Sequence, residues 1–171
     1  MSKVNRLCDL CPIIFLDFIK SWLSKIITMD KRISRFIKGQ KVATICCVEG
    51  DNKPYCFSCF YAFDEAKMQL YFKSAANTHH MQLLKDRPFL SGSILPDKLN
   101  PLALQGIQFS GLLIDKIECA AAKSVYHNRY PFALAMSGTV YTIELQWIKM
   151  TDNTLNFGTK LIWEKPLVVV C

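Results

Sequence analysis

The sequence predicts a mainly β protein, a small antiparallel barrel with flanking helices, and three observations carry that expectation. From Lys41 onward the chain runs through short segments rich in β-branched, aromatic and small apolar residues, separated by polar turns. The first three follow one another with no helix between them, the order of a β-meander, and closing such a sheet on itself removes its exposed edges. The composition allows a core: 51% of the 171 residues are hydrophobic and 20% charged, which fits one globular domain and excludes a disordered chain.

The first element is "IIFLDFIKSWLSKII". Here Phe15, Phe18, Ile19, Trp22, Leu23, Ile26 and Ile27 share one helical stripe, opposite Asp17, Lys20, Ser21, Ser24 and Lys25. With Pro12 near its first turn, this amphipathic helix reads as packing on the domain or on a second subunit, because two lysines are few for a membrane-surface anchor. Met29 is an alternative start, so residues 1–28 are an N-terminal helical extension and residues 29–171 the barrel domain. A second helix, "DKRISRFIK", buries Ile33, Phe36 and Ile37 and stops at Gly39, which is expected in the left-handed position.

Strands follow at "KVATICCV", "PYCFSCFYAF" and "MQLYFK", the second so uniformly apolar that both of its faces are expected to be covered. After a short helix "HHMQLLK" come strands "FLSGSI" and "QGIQFSGLLI", joined by the exposed loop "LPDKLNPLAL". A helical insert "CAAAKSVYHNRYPFALAM" is broken at Pro131. In "TVYTIELQWIKM" the residues Tyr141, Ile143, Leu145 and Trp147 alternate with Thr142, Glu144 and Gln146, the pattern of a half-exposed strand. A turn at Asp152 and Asn153 precedes a last apolar piece, for six or seven strands in all.

The net charge of +7 comes from 21 basic and 14 acidic residues scattered singly, which suits an anionic ligand or solubility and provides no basic tail. Basic and aromatic residues do not interleave along one strand, so nucleic acid is not an expected partner. Eight cysteines at irregular spacing, without a cleavable signal peptide, read as reduced cytoplasmic thiols packed as small apolar groups. The run "CPIIFLDFI" is interrupted by Asp17 and too short to cross a bilayer. "CDLC" and "CFSC" share the spacing of zinc knuckles, yet Cys56 and Cys59 lie three apart in a strand and so face opposite ways; no metal site is expected.

The stretch "SAANTHHMQLLKD" is more informative. Thr78 stands at the N-cap of the short helix, and the free N–H groups of a first turn, aided by the macrodipole, suit an anion. Ser74 and Thr78 add hydroxyls, His79 and His80 imidazoles, a donor set for a phosphate. Read locally, a solvated helix start with incidental histidines fits equally well. His127, in "YHNRYPF", has no identifiable partner and reads as a helix-surface histidine.

The succession "KVATICCV", "CFSCFYAFDEAKMQLYFKS", "THHMQLLKDRPFLSGSI" and "GIQFSGLLI" resembles the pyridoxamine 5'-phosphate oxidase-like, FMN-binding split-barrel superfamily. Its uncharacterised bacterial YhbP-like branch is similar in "TxH", "GxQFxG" and the ending "TDNTLNFGTKLIW", and the likeness runs from about Met29 to Trp163. The resemblance implies a six-stranded antiparallel split β-barrel that forms a homodimer with FMN sites at the interface. It puts the FMN phosphate at Ser74, Thr78, His79 and His80, the isoalloxazine along Ser58, Cys59 and Phe60, and Gln108 near the ring. The chain lacks the Arg-rich second strand and the terminal Arg-Leu-x-Pro element of true pyridoxamine phosphate oxidases, and has histidine where lysine holds phosphate. The implied function is therefore a flavin-dependent oxidoreductase of unknown substrate and no assignable catalytic acid or base. The alternative is a non-catalytic binding protein of the same fold, holding another ligand such as haem, or none.

Overall fold

In the computed structural model, which describes residues 29–98, 100, 104–114, 119–154 and 159–166, the strand pattern becomes one antiparallel sheet. Its strands are β1 Val42–Val48, β2 Pro54–Asp64, β3 Gln69–Ser74, β4 Phe89–Ile94, β5 Gln105–Ile114, β6 Thr139–Asp152 and β7 Thr159–Glu164. The order is β3-β2-β1-β4-β5-β6-β7, and β3 also pairs with β6, so the first six strands close a six-stranded barrel. The first half of the long β6, Thr139 to Glu144, closes against β3, and its second half, Trp147 to Asp152, carries β7 on that same side. The helices are α1 Lys31–Gly39, α2 His79–Asp86 and α3 Ala120–Arg129, the last followed by a 3-10 turn Pro131–Ala135 where Pro131 ends the α-helical pattern. Residues 30–165 form one compact unit. The N-terminal helical extension, with Cys8 and Cys11, lies outside the described residues.

The period-two pattern sorts the strands' two faces. In β1, Ala43, Ile45 and Cys47 point into the barrel and are buried, whereas Val42, Thr44, Cys46 and Val48 point out. The interior is filled by these with Tyr61, Leu70, Phe72, Ile94, Ile107, Phe109, Ile143 and Ile148. On the outside, α3 and the 3-10 turn cover part of the sheet, burying Ala62, Tyr71 and Val140 under Ala122, Tyr126, Tyr130 and Ala133. Burial on both faces accounts for the apolar run Leu70, Tyr71 and Phe72 in β3, all three of which are buried.

Three local expectations change. The first half of β2 is not covered on both sides: Pro54, Cys56, Ser58 and Phe60 are exposed, because α3 reaches only its far end. Gly39 stays helical, and its successor Gln40 is extended at φ −96°. The C-terminal carbonyls of α1 are instead satisfied by side chains, since Tyr61 Oη donates to Ile37 O at 2.6 Å and Arg129 Nη2 to Lys38 O at 2.9 Å. In β6 the alternation does not run through. Ser110 faces Trp147 while the next residue, Gly111, faces Leu145, so Gln146 is an extra residue and the buried set moves from Ile143 and Leu145 to Ile148 and Met150. Trp147, in phase with Ile143 by sequence, thus lies on the outer face.

Candidate functional site

The barrel opens along one seam. β2 and β3 pair from Tyr61↔Phe72 to Asp64↔Gln69 and then separate, leaving the first half of β2 bonded to β1 alone. Tyr61 N–H donates to Lys41 O and Glu49 N–H to Lys53 O, which fixes the phase of that ladder: the odd residues of β2 direct their backbone groups to β1. The N–H and C=O of Cys56, Ser58 and Phe60 therefore point into the seam, where no described strand pairs with them. Such an edge is a template for whatever planar or extended partner fits it.

At the end of this seam stands α2. Its N-cap residue Thr78 does not cap with its side chain; the hydroxyl turns back to donate to Ala75 O at 2.9 Å. That leaves the first-turn N–H groups outside any side-chain cap and directs the hydroxyl toward Ser74, 3.2 Å away. His80 Nε2 completes the group, 2.8 Å from Ser74 Oγ and 3.1 Å from Thr78 Oγ1. The imidazole lies flat on Phe57, with centroids 3.9 Å apart and planes 14° from parallel, so its position is set by stacking as well as hydrogen bonding. Burial, and secondarily the neighbouring His79, push the His80 pKa below its ordinary value, so the ring is neutral at neutral pH.

Of the phosphate residues expected from sequence, Ser74, Thr78 and His80 are brought together, while His79 turns away. Its Nε2 lies 2.9 Å from Glu49 Oε1, and its ring meets the edge of Tyr55. With Arg87, whose guanidinium donates to Glu49 O, Gly50 O and Asn52 Oδ1, this contact ties α2 to the β1–β2 hairpin. On β2, Ser58 and Phe60 share the outer face and Cys59 points the other way, where burial pushes its thiol up to about 12. Gln108 is exposed and joins Ser58 in one lateral row on the outer face, Ser58–Thr44–Ser93–Gln108. A groove of about 410 Å³ lies there, lined by Lys41, Val42, Thr44, Phe60, Ser93, Leu95, Pro96 and Asp97.

Sequence reasoning missed Phe57, the platform under His80, and the backbone of Cys56, Ser58 and Phe60, which no described strand pairs on the seam side. The first shows in no motif, because stacking partners come from separate elements; the second depends on where two strands part, which local pattern does not encode. His127 is half-buried, and its Nε2 has no hydrogen-bond partner. Among the described residues no three His, Cys, Asp or Glu side chains gather as a metal site, and no helix is long and apolar enough to cross a membrane.

No protein-family profile matches the chain. A UPF0306 protein of Yersinia enterocolitica is 37% identical over 135 residues, which cover 78% of this chain and 91% of that protein. The chain belongs to the UPF0306 family. Another member, from Serratia proteamaculans, is 34% identical over 138 residues, covering 80% of this chain and 95% of that one. The family name states no ligand and no reaction. Among solved structures, this UPF0306 chain is similar to a haem-binding protein from Mycobacterium smegmatis (TM-score 0.63, 15% identity, 75% of this chain and 55% of that one). It is similar also to an FAD-binding protein from Mesorhizobium loti (TM-score 0.59, 11% identity, 72% and 94%). At such identities the likeness shows the fold alone, a split barrel shared with flavin- and haem-binding proteins.

Proposed function

We propose that this UPF0306 protein binds FMN and acts as a flavin-dependent oxidoreductase, with the phosphate at Ser74, Thr78 and His80 and the ring along the open edge of β2. The observation that carries this reading is the convergence of two hydroxyls and an imidazole at a helix N-terminus, beside a strand edge that no described strand pairs with. A phosphate needs several donors in one place, and a flavin ring needs a flat edge bearing alternating donors and acceptors; the two stand side by side here. The fold shared with an FAD-binding protein supports the choice of a flavin.

When bound, FMN supplies hydride chemistry at its N5, and the protein's part is to hold, orient and exclude water. To donate to phosphate oxygens, Ser74 would turn its hydroxyl away from its present partners and Thr78 would release Ala75 O. The neutral His80 would take up a proton on binding the dianion, because a neighbouring negative charge favours the imidazolium. The N–H and C=O of Ser58 and Phe60 would be the groups available to the polar rim of the ring, with the apolar Phe57 nearby. Assembly as a homodimer belongs to this reading, because Val42, Phe60, Leu95 and Phe132 leave an apolar surface around the outer groove that a second copy would cover.

Haem is the second reading, favoured by the haem-binding structural neighbour and by a neutral His80, the form an iron would bind. It ranks lower because the Ser74 and Thr78 hydroxyls beside His80 Nε2 suit a phosphate and have no part in binding an iron. Titration with FMN followed by quenching of flavin fluorescence tests the proposal. Saturable FMN binding that His80→Ala weakens, with riboflavin weak and equal on both proteins, is the expected result. Equal FMN affinity of wild type and variant would remove His80 from the site.

A further inference from the structure

On the outer face of β1 and β2, one pair of reactive side chains is not used in the flavin reading. Cys46 and Cys56 stand opposite each other on β1 and β2, on the outer face. The pairs Lys41/Tyr61 and Glu49/Lys53 at the two ends of this ladder are hydrogen-bonded, so by strict alternation Cys46/Cys56 is a non-hydrogen-bonded pair. In that class the Cα atoms approach to about 4.5 Å and the side chains converge, within the range a disulfide spans. The next pair of the same class shows the convergence directly, with Thr44 Oγ1 and Ser58 Oγ 3.2 Å apart.

Packing does not account for these thiols. Cys56 is exposed and Cys46 half-buried, whereas Cys47, adjacent in sequence, points into the core and donates to Tyr55 O. Cys59 lies on the opposite face of β2, and Cys119 stands at the start of α3. Among the described cysteines, the strand register sets Cys46 alone directly opposite Cys56. Both cysteines are free thiols, and Cys56 helps to keep the Cys46 thiol protonated.

We propose that Cys46 and Cys56 are a redox-active pair that reacts reversibly with low-molecular-weight disulfides of the glutathione class, closing a cross-strand disulfide. Cys56, the more exposed, attacks first as thiolate: its sulfur bonds to one sulfur of the small disulfide, the original S–S bond breaks, and one small thiolate leaves. Cys46 then releases its proton and attacks Cys56 Sγ, and the second small thiolate leaves. The protein dithiol loses two electrons and two protons, and the small disulfide becomes two thiols. In the dithiol, partial burial and Cys56 hold the Cys46 pKa up at about 11, which leaves the more exposed Cys56 to attack first. Burial remains after that step, so a small thiolate fraction of Cys46 limits resolution near neutrality.

The test uses the full-length protein, equilibrated in glutathione buffers of increasing disulfide content, quenched, alkylated and mapped by peptide mass. A linked Cys46–Cys56 peptide is expected to rise with the disulfide fraction and to disappear on return to reduced glutathione, with resolution faster at pH 9 than at pH 7. Cys46→Ser should stop at a glutathione adduct on Cys56. The wild-type map needs no variant to be decisive. A persistent Cys56 adduct without the link, a bridge to any other cysteine, or neither thiol reacting would each overturn the proposal.

Discussion

At the scale of single residues, the account rests on His80, a histidine held by stacking and two hydroxyls instead of the lysine its family resemblance leads one to expect. Replacing it with alanine removes a charge-assisted hydrogen bond worth about 1.5–3 kcal/mol, so isothermal titration should show FMN affinity falling roughly tenfold to a hundredfold. The pH dependence follows from the direction of its shift. Free His80 titrates below its ordinary value of about 6.5, and a phosphate monoester becomes a dianion above about 6. Affinity requires the imidazolium and the dianion together, so its maximum should lie at a more acid pH than an unperturbed histidine would give. Above the peak the histidine has lost its proton, and below it the phosphate has gained one. His80→Lys should restore binding and hold it flat to alkaline pH, because an unperturbed lysine stays charged up to about 10. An alkaline limb that persists in the lysine variant would place the titration elsewhere.

At the scale of elements, α1 offers the clearest tests. Asp30 caps it, its carboxylate accepting from Arg32 N–H at 2.8 Å and from the Arg32 guanidinium, which holds the Asp30 pKa down at about 2. A depressed carboxylate contributes stability that is complete above its ordinary pKa and is lost as pH falls through its folded one. Asp30→Ala should cost about 0.5–2 kcal/mol at neutral pH, toward the low end because the pair is partly exposed, and the gap should narrow as pH falls from 4 to 2 in urea melts. At the other end of α1, Tyr61→Phe strands Ile37 O in a buried site, a loss of about 1–3 kcal/mol measurable as a lower urea midpoint. An unchanged midpoint would mean that another group takes over that carbonyl.

How much of this was legible depends on what each feature is made of. The strands "FLSGSI" and "QGIQFSGLLI" match β4 and β5 residue for residue, because alternation and turn residues are local signals. The end of α1 was misassigned to a glycine cap, because the groups that close it, Tyr61 and Arg129, come from β2 and α3. Trp147 was placed in the wrong phase because one bulged residue reverses a period of two. In the site, Ser74, Thr78 and His80 were within reach because they fall in one short stretch, whereas Phe57 and the open edge of β2 belong to tertiary structure.

At the scale of the whole molecule, a barrel with exposed Val42, Phe60, Leu95 and Phe132 around one groove should not remain alone in solution. Light scattering at micromolar concentration should give twice the chain mass of 19.5 kDa, and a monomer would count against assembly through that surface. A chain begun at Met29 should fold with the same thermal transition as the full length, because every described strand lies beyond it. Insoluble or unfolded product would assign the first 28 residues to the core or the interface. The central claim, that the open seam of the barrel holds FMN, meets its most direct test in the absorbance spectrum of protein purified without added cofactor. The account predicts the two-banded spectrum of oxidised flavin, with FMN released on denaturation. A haem Soret band, or a colourless protein that stays colourless after incubation with FMN and removal of the excess, would contradict it.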